Sequence, residues 1–558
     1  MGRMPSTRPR NVADLVLADG RPYPASLDRG ERLSLAVANG RIAYLGPEEG
    51  LAPWLGPRTR RIDLDGKTVL PGFVDAHLHP LLGGLRLLEC DLAGLVSLAD
   101  CQRAVRTYAN EHPDLPFIRG GGWSLGAFPE GGPSKEMLDA AVPDRPAFLK
   151  AMDGHSLWAN RLALQAAGIH AGTPPPPGGC VEMDPRTGEP TGWLKEWSAM
   201  ALVESRFPAA TPGQRMAGAR EFMRKAARAG ITSVSDAMLT EAEYRAYSEL
   251  DRRGELTVRV HGMALCRPDE GDDGRQAVRD LLRQPRSPRL QARAVKLFLD
   301  GVVESHTAWL NEPYADRPRH RGTLIWPEEA FMREVSWWDA QGVPVHVHAI
   351  GDGAARLAVD AIEAAIRSNG RREARHQITH LDMVRREEVD RMARLGILAV
   401  VQPAWCHMDH SFFDATLPFL GRERASRLYP LHSMLRAGVA MACGSDWPFG
   451  GDTAAFAPLE GIQVGATRVG LDGDYPAAYG PEERAPLRDL LDAYTRGGAL
   501  AQFRETEFGS LREGMRADLA VLDRNLFDLD LREVRSARVV LTLVEGREVF
   551  RDAKALTC

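Results

Sequence analysis

The chain has 558 residues, well beyond the roughly 100–150 of a typical domain, so a large barrel with additions or two domains is expected. Apolar residues make up 44%, charged residues 26% and the mean hydropathy is −0.27, which excludes a disordered chain, a collagen and a small disulfide scaffold. The net charge of −5 asks for neither nucleic acid nor an anionic membrane as partner.

Seven scattered cysteines without a CxxC pair read as reduced thiols in a cytosolic protein. The basic Met1 to Arg10 stretch has no apolar segment after it, so no cleaved signal peptide is expected. No run approaches the roughly 18 apolar residues of a membrane span. Gly2 and Ser6 fit a myristoylation pattern, but no polybasic second anchor accompanies them. The expected location is cytoplasmic, the expected partner is a small-molecule substrate, and a homodimer is left open.

In chain order, the first seventy residues are rich in short strands: Asp14 to Leu17, Leu33 to Val37, Arg41 to Leu45, Arg61 to Leu64 and Thr68 to Leu70. Asn39-Gly40 is a strong hairpin signal and Asp65-Gly66 marks another turn. From Phe73-Val74 onward, strands alternate with helices: Ile231 to Val234, Val258 to Val260, Ala294 to Phe298, Val343 to Val347, Gln377 to Thr379, Ile397 to Val401 and Val439 to Ala442. A helix is expected over Ala354 to Ile366, whose Leu357, Ala361, Ile362, Ala365 and Ile366 share a face. The C-terminus returns to strands at Ala517 to Leu522, Val539 to Val544 and Val549-Phe550, with a turn at Glu545-Gly546.

Eight strands alternating with helices fit a (β/α)₈ TIM-like barrel, and two strand-rich ends, each too small for a core, fit one β-sandwich closed by both termini. The expected division is 1–70 and 507–558 for the sandwich and 71–506 for the barrel. An insertion is expected at about 102–225, containing the stiff Pro174 to Pro177 run and a hairpin turn at Asp184 to Gly188.

The sharpest chemical feature is Pro71-Gly72-Phe73-Val74-Asp75-Ala76-His77-Leu78-His79. Residues two apart on a strand face one way, so His77 and His79 form half of a divalent-metal site. Later candidates fall at strand ends, where barrels collect active-site residues: Lys296, His346, His348, His380 and Asp446. Gly122 to Gly126 matches a GxSxG elbow, but Pro129, Gly131, Gly132 and Pro133 follow instead of a helix, so a loop is expected.

With these motifs the sequence resembles the amidohydrolase superfamily, in the branch of N-substituted formamide deformylases. Gly120 to Trp123, Asp153 to Asn160, Lys296 to Gly301, the run His348-Ala349-Ile350-Gly351-Asp352, Gly444-Ser445-Asp446 and Gly509 to Leu519 also carry the resemblance. It implies His77, His79, Lys296, His348, His380 and Asp446 as ligands of one or two divalent ions, zinc being expected, with Lys296 carbamylated as a bridge. His346 is then packed below the site. Trp123, Asp153, His155 and His306 are implied to bind substrate, His306 standing where arginine is usual.

The implied reaction is hydrolysis of a non-peptide C–N amide bond, of an N-acyl or N-formyl amine, by metal-activated water with Asp446 as general base. Lyase, decarboxylase, isomerase or ester and lactone chemistry on the same centre stays open, as does a non-catalytic scaffold. A deaminase is disfavoured, because the carboxylate expected three residues after His348 is Gly351.

Overall fold

The computed structural model describes residues 12–24, 31–129, 131–152, 154–176, 179–410, 412–449 and 456–556. The basic N-terminus, Asp153, Pro177 and Cys558 lie outside them. Contacts cluster into two units. One comprises the described parts of Met1–Leu78, Met223–Ser445 and Ala455–Cys558, and the other those of His79–Phe222 and Asp446–Ala454. Among the described residues, no helix is long and apolar enough to cross a membrane.

In the first unit, strands from both termini share one sheet. Its order is Arg547–Arg551, Val539–Val544, Leu519–Leu522, Thr68–Pro71, Leu15–Pro22, Leu33–Ala38 and Arg41–Gly46, with Arg60–Asp63 beside Leu15–Pro22. The two ends meet where Leu519–Leu522 runs antiparallel to Thr68–Pro71, Ala520 opposite Leu70. Leu17, Val37, Ile62 and Val69 bury against Leu519, Val521, Leu541 and Leu543, so neither terminus completes this core without the other. Asn39 and Gly40 have φ of 52° and 73°, the two positive values a tight hairpin turn requires. Asp65-Gly66 and Glu545-Gly546 repeat that conformation.

The same unit holds the barrel. Its eight strands are Phe73–Leu78, Ile231–Leu239, Arg259–Leu265, Leu290–Phe298, Val345–Ala349, Gln377–His380, Leu398–Val401 and Met441–Cys443, in sheet order and parallel. Each coincides with an expected strand. The first and fifth are buried at every position, as helices on the outside and side chains within demand. The expected helix spans Asp352–Asn369 and buries Leu357, Ala361, Ile362 and Ala365.

Two end strands meet where the Ser445 N–H donates to Asp75 Oδ1 at 3.1 Å. Gly444 makes this approach possible, since a Cβ there would lie 2.6 Å from the His77 nitrogen. At the opposite end of the third strand, buried Arg259 donates to Asp518 Oδ2 at 2.8 Å and lies 3.1 Å from Glu545 Oε1. That cluster ties the barrel to the C-terminal strands.

The second unit has its own six-stranded sheet, ordered Cys180–Met183, Pro190–Lys195, Ser156–Ala159, Ala147–Ala151, Ile118–Trp123 and Cys90–Asp91. It begins at Cys90, before the expected start of the insertion near 102. The Asp184 to Gly188 turn joins its first two strands as expected, with Gly188 donating to the Asp184 carbonyl. Ser124 caps only the short turn Leu125–Ala127, and Phe128 is extended, so the GxSxG stretch is no nucleophile elbow.

Candidate metal centre

Asp75 and His77 alternate toward one side of the first barrel strand, and His79 follows two residues later. Asp75 Oδ1 accepts from the His77 N–H at 3.2 Å as well as from Ser445, so one buried carboxylate holds two strand ends. Asp446 follows Ser445 directly, and its Oδ1 lies 3.0 Å from His79 Nε2. His77, His380 and Asp446 each offer a ligand atom, and those atoms lie within 4.8 Å of one another. All are buried.

The sixth strand shows how the backbone aims a candidate ligand. By alternation His380 belongs on the face opposite Thr379, among the outward residues. Instead His380 and Leu381 take φ of 74° and 55°, and the imidazole swings to within 5.0 Å of the His77 ring and 4.4 Å of the His348 ring, centroid to centroid. Asp446 is also left-handed, at φ 56°. Such backbone is costly for these residue types and persists only where the surroundings impose it.

Hydrogen-bond partners assign the ring nitrogens. The Gln402 Oε1 lies 3.0 Å from His380 Nδ1, which places the proton there and the lone pair on Nε2. The Gly301 carbonyl lies 3.3 Å from His348 Nε2, which places that ring's proton on Nε2 and its lone pair on Nδ1. Burial, then the nearby His348 and Lys296, holds His380 well below the ordinary imidazole range, in its neutral, ligating form. Trp405 stacks on His380 at 5.4 Å, nearly parallel. Imidazoles with oriented ring nitrogens beside a carboxylate are a donor set that fits a divalent cation.

Lys296 is fully buried on the fourth strand, opposite His346 in register, with its ammonium 4.4 Å from the Phe298 ring centroid. Asp300 is committed elsewhere. It accepts from the Trp309, Ile350 and Gly351 N–H groups, binding two successive loops, while burial raises its pKa to about 7.

The residues expected to bind substrate have other surroundings. Trp123 is 1% exposed in the core of the six-stranded sheet, donates to the Leu149 carbonyl and packs on Phe128. His306 pairs with Asp316 at 2.8 Å and lies on Phe419 at 3.9 Å, inside the core of its own loop. Its backbone is left-handed, at φ 58°. His155 remains partly open, 2.9 Å from Glu196 Oε2. Asp153 lies outside the described residues.

Sequence reasoning passed over Asp75, Asp300, Gln377 and Gln402 and left His346 as packing. A signal existed for the glutamines. A polar residue in or beside an apolar strand must find a buried partner, and Gln377 and Gln402 flank such runs.

Comparison with known proteins gives the family. An amidohydrolase family model matches residues 60–550. The putative amidohydrolase YtcJ of Bacillus subtilis is 30% identical over 94% of this chain and 98% of its own. The N-substituted formamide deformylase of Arthrobacter pascens is 28% identical over 96% of this chain and 98% of its own. An uncharacterized metal-dependent hydrolase from Pyrococcus furiosus superposes with a TM-score of 0.70 at 26% identity, covering 92% of this chain and 99% of that one. The barrel, its strand-end histidines and these matches agree: the chain belongs to the amidohydrolase family.

Proposed function

We propose that the chain is a metal-dependent hydrolase that cleaves a non-peptide C–N bond in a small amide, an N-acyl or N-formyl amine. The observation that carries this reading is the buried set of His77, His380 and Asp446, with ligand atoms within 4.8 Å, in an amidohydrolase-family chain. His77, His79, His348, His380 and Asp446 would hold the cation, and zinc suits imidazole and carboxylate donors. Lys296, buried beside them in register with His346, would add a bridging ligand once carbamylated.

The chemistry a divalent cation supplies in such a set is activation of water and polarisation of a carbonyl. The chain's own residues do the rest. Asp446 accepts the proton of the attacking water at a carboxylate oxygen and returns it to the leaving nitrogen. His79, beside its other function as donor, fixes that carboxylate through Oδ1. Trp405, parallel to His380, offers an aromatic wall against which an apolar N-substituent can lie. The likeness to the Arthrobacter formamide deformylase favours formamides among the amides.

A screen of purified, zinc-loaded protein against formamides, N-acyl amines, carbamates and lactones tests the reading. Amine release from formamides or N-acyl amines is expected. Turnover of lactones alone would replace it with an ester reading, and a zinc-loaded protein inert to every amide would contradict it.

A further inference from the structure

Beneath the ligand histidines a chain of hydrogen bonds crosses the barrel. Gln377 Nε2 donates to the Ala501 carbonyl at 2.8 Å. Gln377 Oε1 lies 2.8 Å from His346 Nδ1, and His346 Nε2 lies 2.6 Å from His77 Nδ1. His346 and Gln377 are 0% and 1% exposed, so this buried chain depends on protein groups for its polarity.

We infer that His346 and Gln377 are positioning residues that hold the proton on His77 Nδ1 and so present Nε2 to a divalent cation. The inference rests on the metal-centre reading above. Its direction comes from the far end. A carbonyl only accepts, so the amide nitrogen of Gln377 faces Ala501 and its oxygen faces His346. That oxygen also only accepts, so His346 Nδ1 carries a proton. A neutral imidazole carries a single ring proton, so with that proton on Nδ1 the His346 Nε2, 2.6 Å from His77 Nδ1, is an acceptor. His77 Nδ1 must then donate, and the lone pair of that ring falls on Nε2.

The chain thus links the carbonyl ending the helix Gly498–Ala501 to a ligand on the first strand, through the sixth and fifth strands. A histidine that merely filled space would need no such ordered partners at both ring nitrogens. Partners of this kind behind a ligating histidine raise its basicity and lock its orientation, and losing them costs about 10–100-fold in metal affinity.

The test measures zinc affinity of the full-length apo-protein by competition with a chromophoric chelator, with thermal melting of the apo forms as the control for folding. His346→Leu removes the acceptor and should weaken zinc about 10–100-fold. His346→Gln places an amide oxygen near His77 Nδ1 and should recover most of that loss, which a purely structural role would not do. Gln377→Leu, which unfixes only the outer link, should show a smaller loss in the same direction. Unchanged zinc affinity in His346→Leu overturns the relay. Should that variant fail to fold, unchanged affinity in Gln377→Leu overturns it equally. Wild-type protein that takes up no zinc contradicts the metal centre itself, a result distinct from variants that match a zinc-binding wild type.

Discussion

Left-handed backbone occurs in the terminal sheet and at the barrel mouth for opposite reasons. In the sheet it falls on Asn39-Gly40, Asp65-Gly66 and Glu545-Gly546, where the glycines carry no penalty and the turn needs positive φ. At the mouth it falls on His380, Leu381 and Asp446, where no glycine relieves it. Each such residue costs about 1–2 kcal/mol. The terminal sheet spends turn chemistry on closing a core, whereas the mouth holds strained backbone in place with Gln402 on His380 and His79 on Asp446. The difference separates what stabilises this protein from what it does.

That separation yields outcomes in descending size. Replacing His77 and His79 together by Ala should abolish zinc content and hydrolysis in a protein that still unfolds cooperatively. Metal analysis and calorimetry on one preparation check both halves, and retained turnover would break the assignment. Asp446→Asn keeps a ligand oxygen but removes the base, so turnover should fall about 10²–10⁴-fold with metal largely retained. A near wild-type rate in a metal-loaded Asp446→Asn would show that another group moves the proton.

Variants of the structural region should do the reverse. Arg259→Met strands the buried Asp518 carboxylate and should cost about 3–5 kcal/mol in denaturant unfolding, with the metal content of folded protein unchanged. Acid attacks the same cluster. Burial alone would raise Glu545, but Arg259 and Arg289 outweigh it and hold the carboxyl at about 2. The unfolded chain binds that proton at a higher pH, so this contribution to stability, present at neutral pH, is lost as pH falls from the ordinary glutamate range towards 2. Melting temperatures across that range should decline, and a flat profile would remove Glu545 from the account. The smallest effect is expected for Gly40→Ala, about 1–2 kcal/mol, from φ 73° and a Cβ 3.1 Å from the Glu545 carbonyl. An unaltered unfolding midpoint would mean that the hairpin adjusts.

What was legible in the sequence follows the same division. The turns, the eight strands and the HxH pair were readable because each is a local pattern: Asn-Gly, an apolar run, residues two apart. The partners of the candidate ligands were not, because His77 meets His346 across 269 positions and no local pattern announces the pairing. Alternation also misplaces His380, since one left-handed residue reverses the face. Trp123 and His306 show that a place beside a motif does not reveal a side chain's partners. Both lie next to motif segments, yet Trp123 completes a core and His306 finds Asp316 ten residues on.

On the proposed function, buried histidines and Asp446 hold a cation on which hydrolysis depends. Titrating zinc into the apo-protein while following amine release from an N-formyl amine tests it most directly. Turnover should be absent without zinc and rise in proportion to zinc until a small whole number of equivalents has been added. A zinc-free protein that releases amine at the rate of the loaded one would contradict the account.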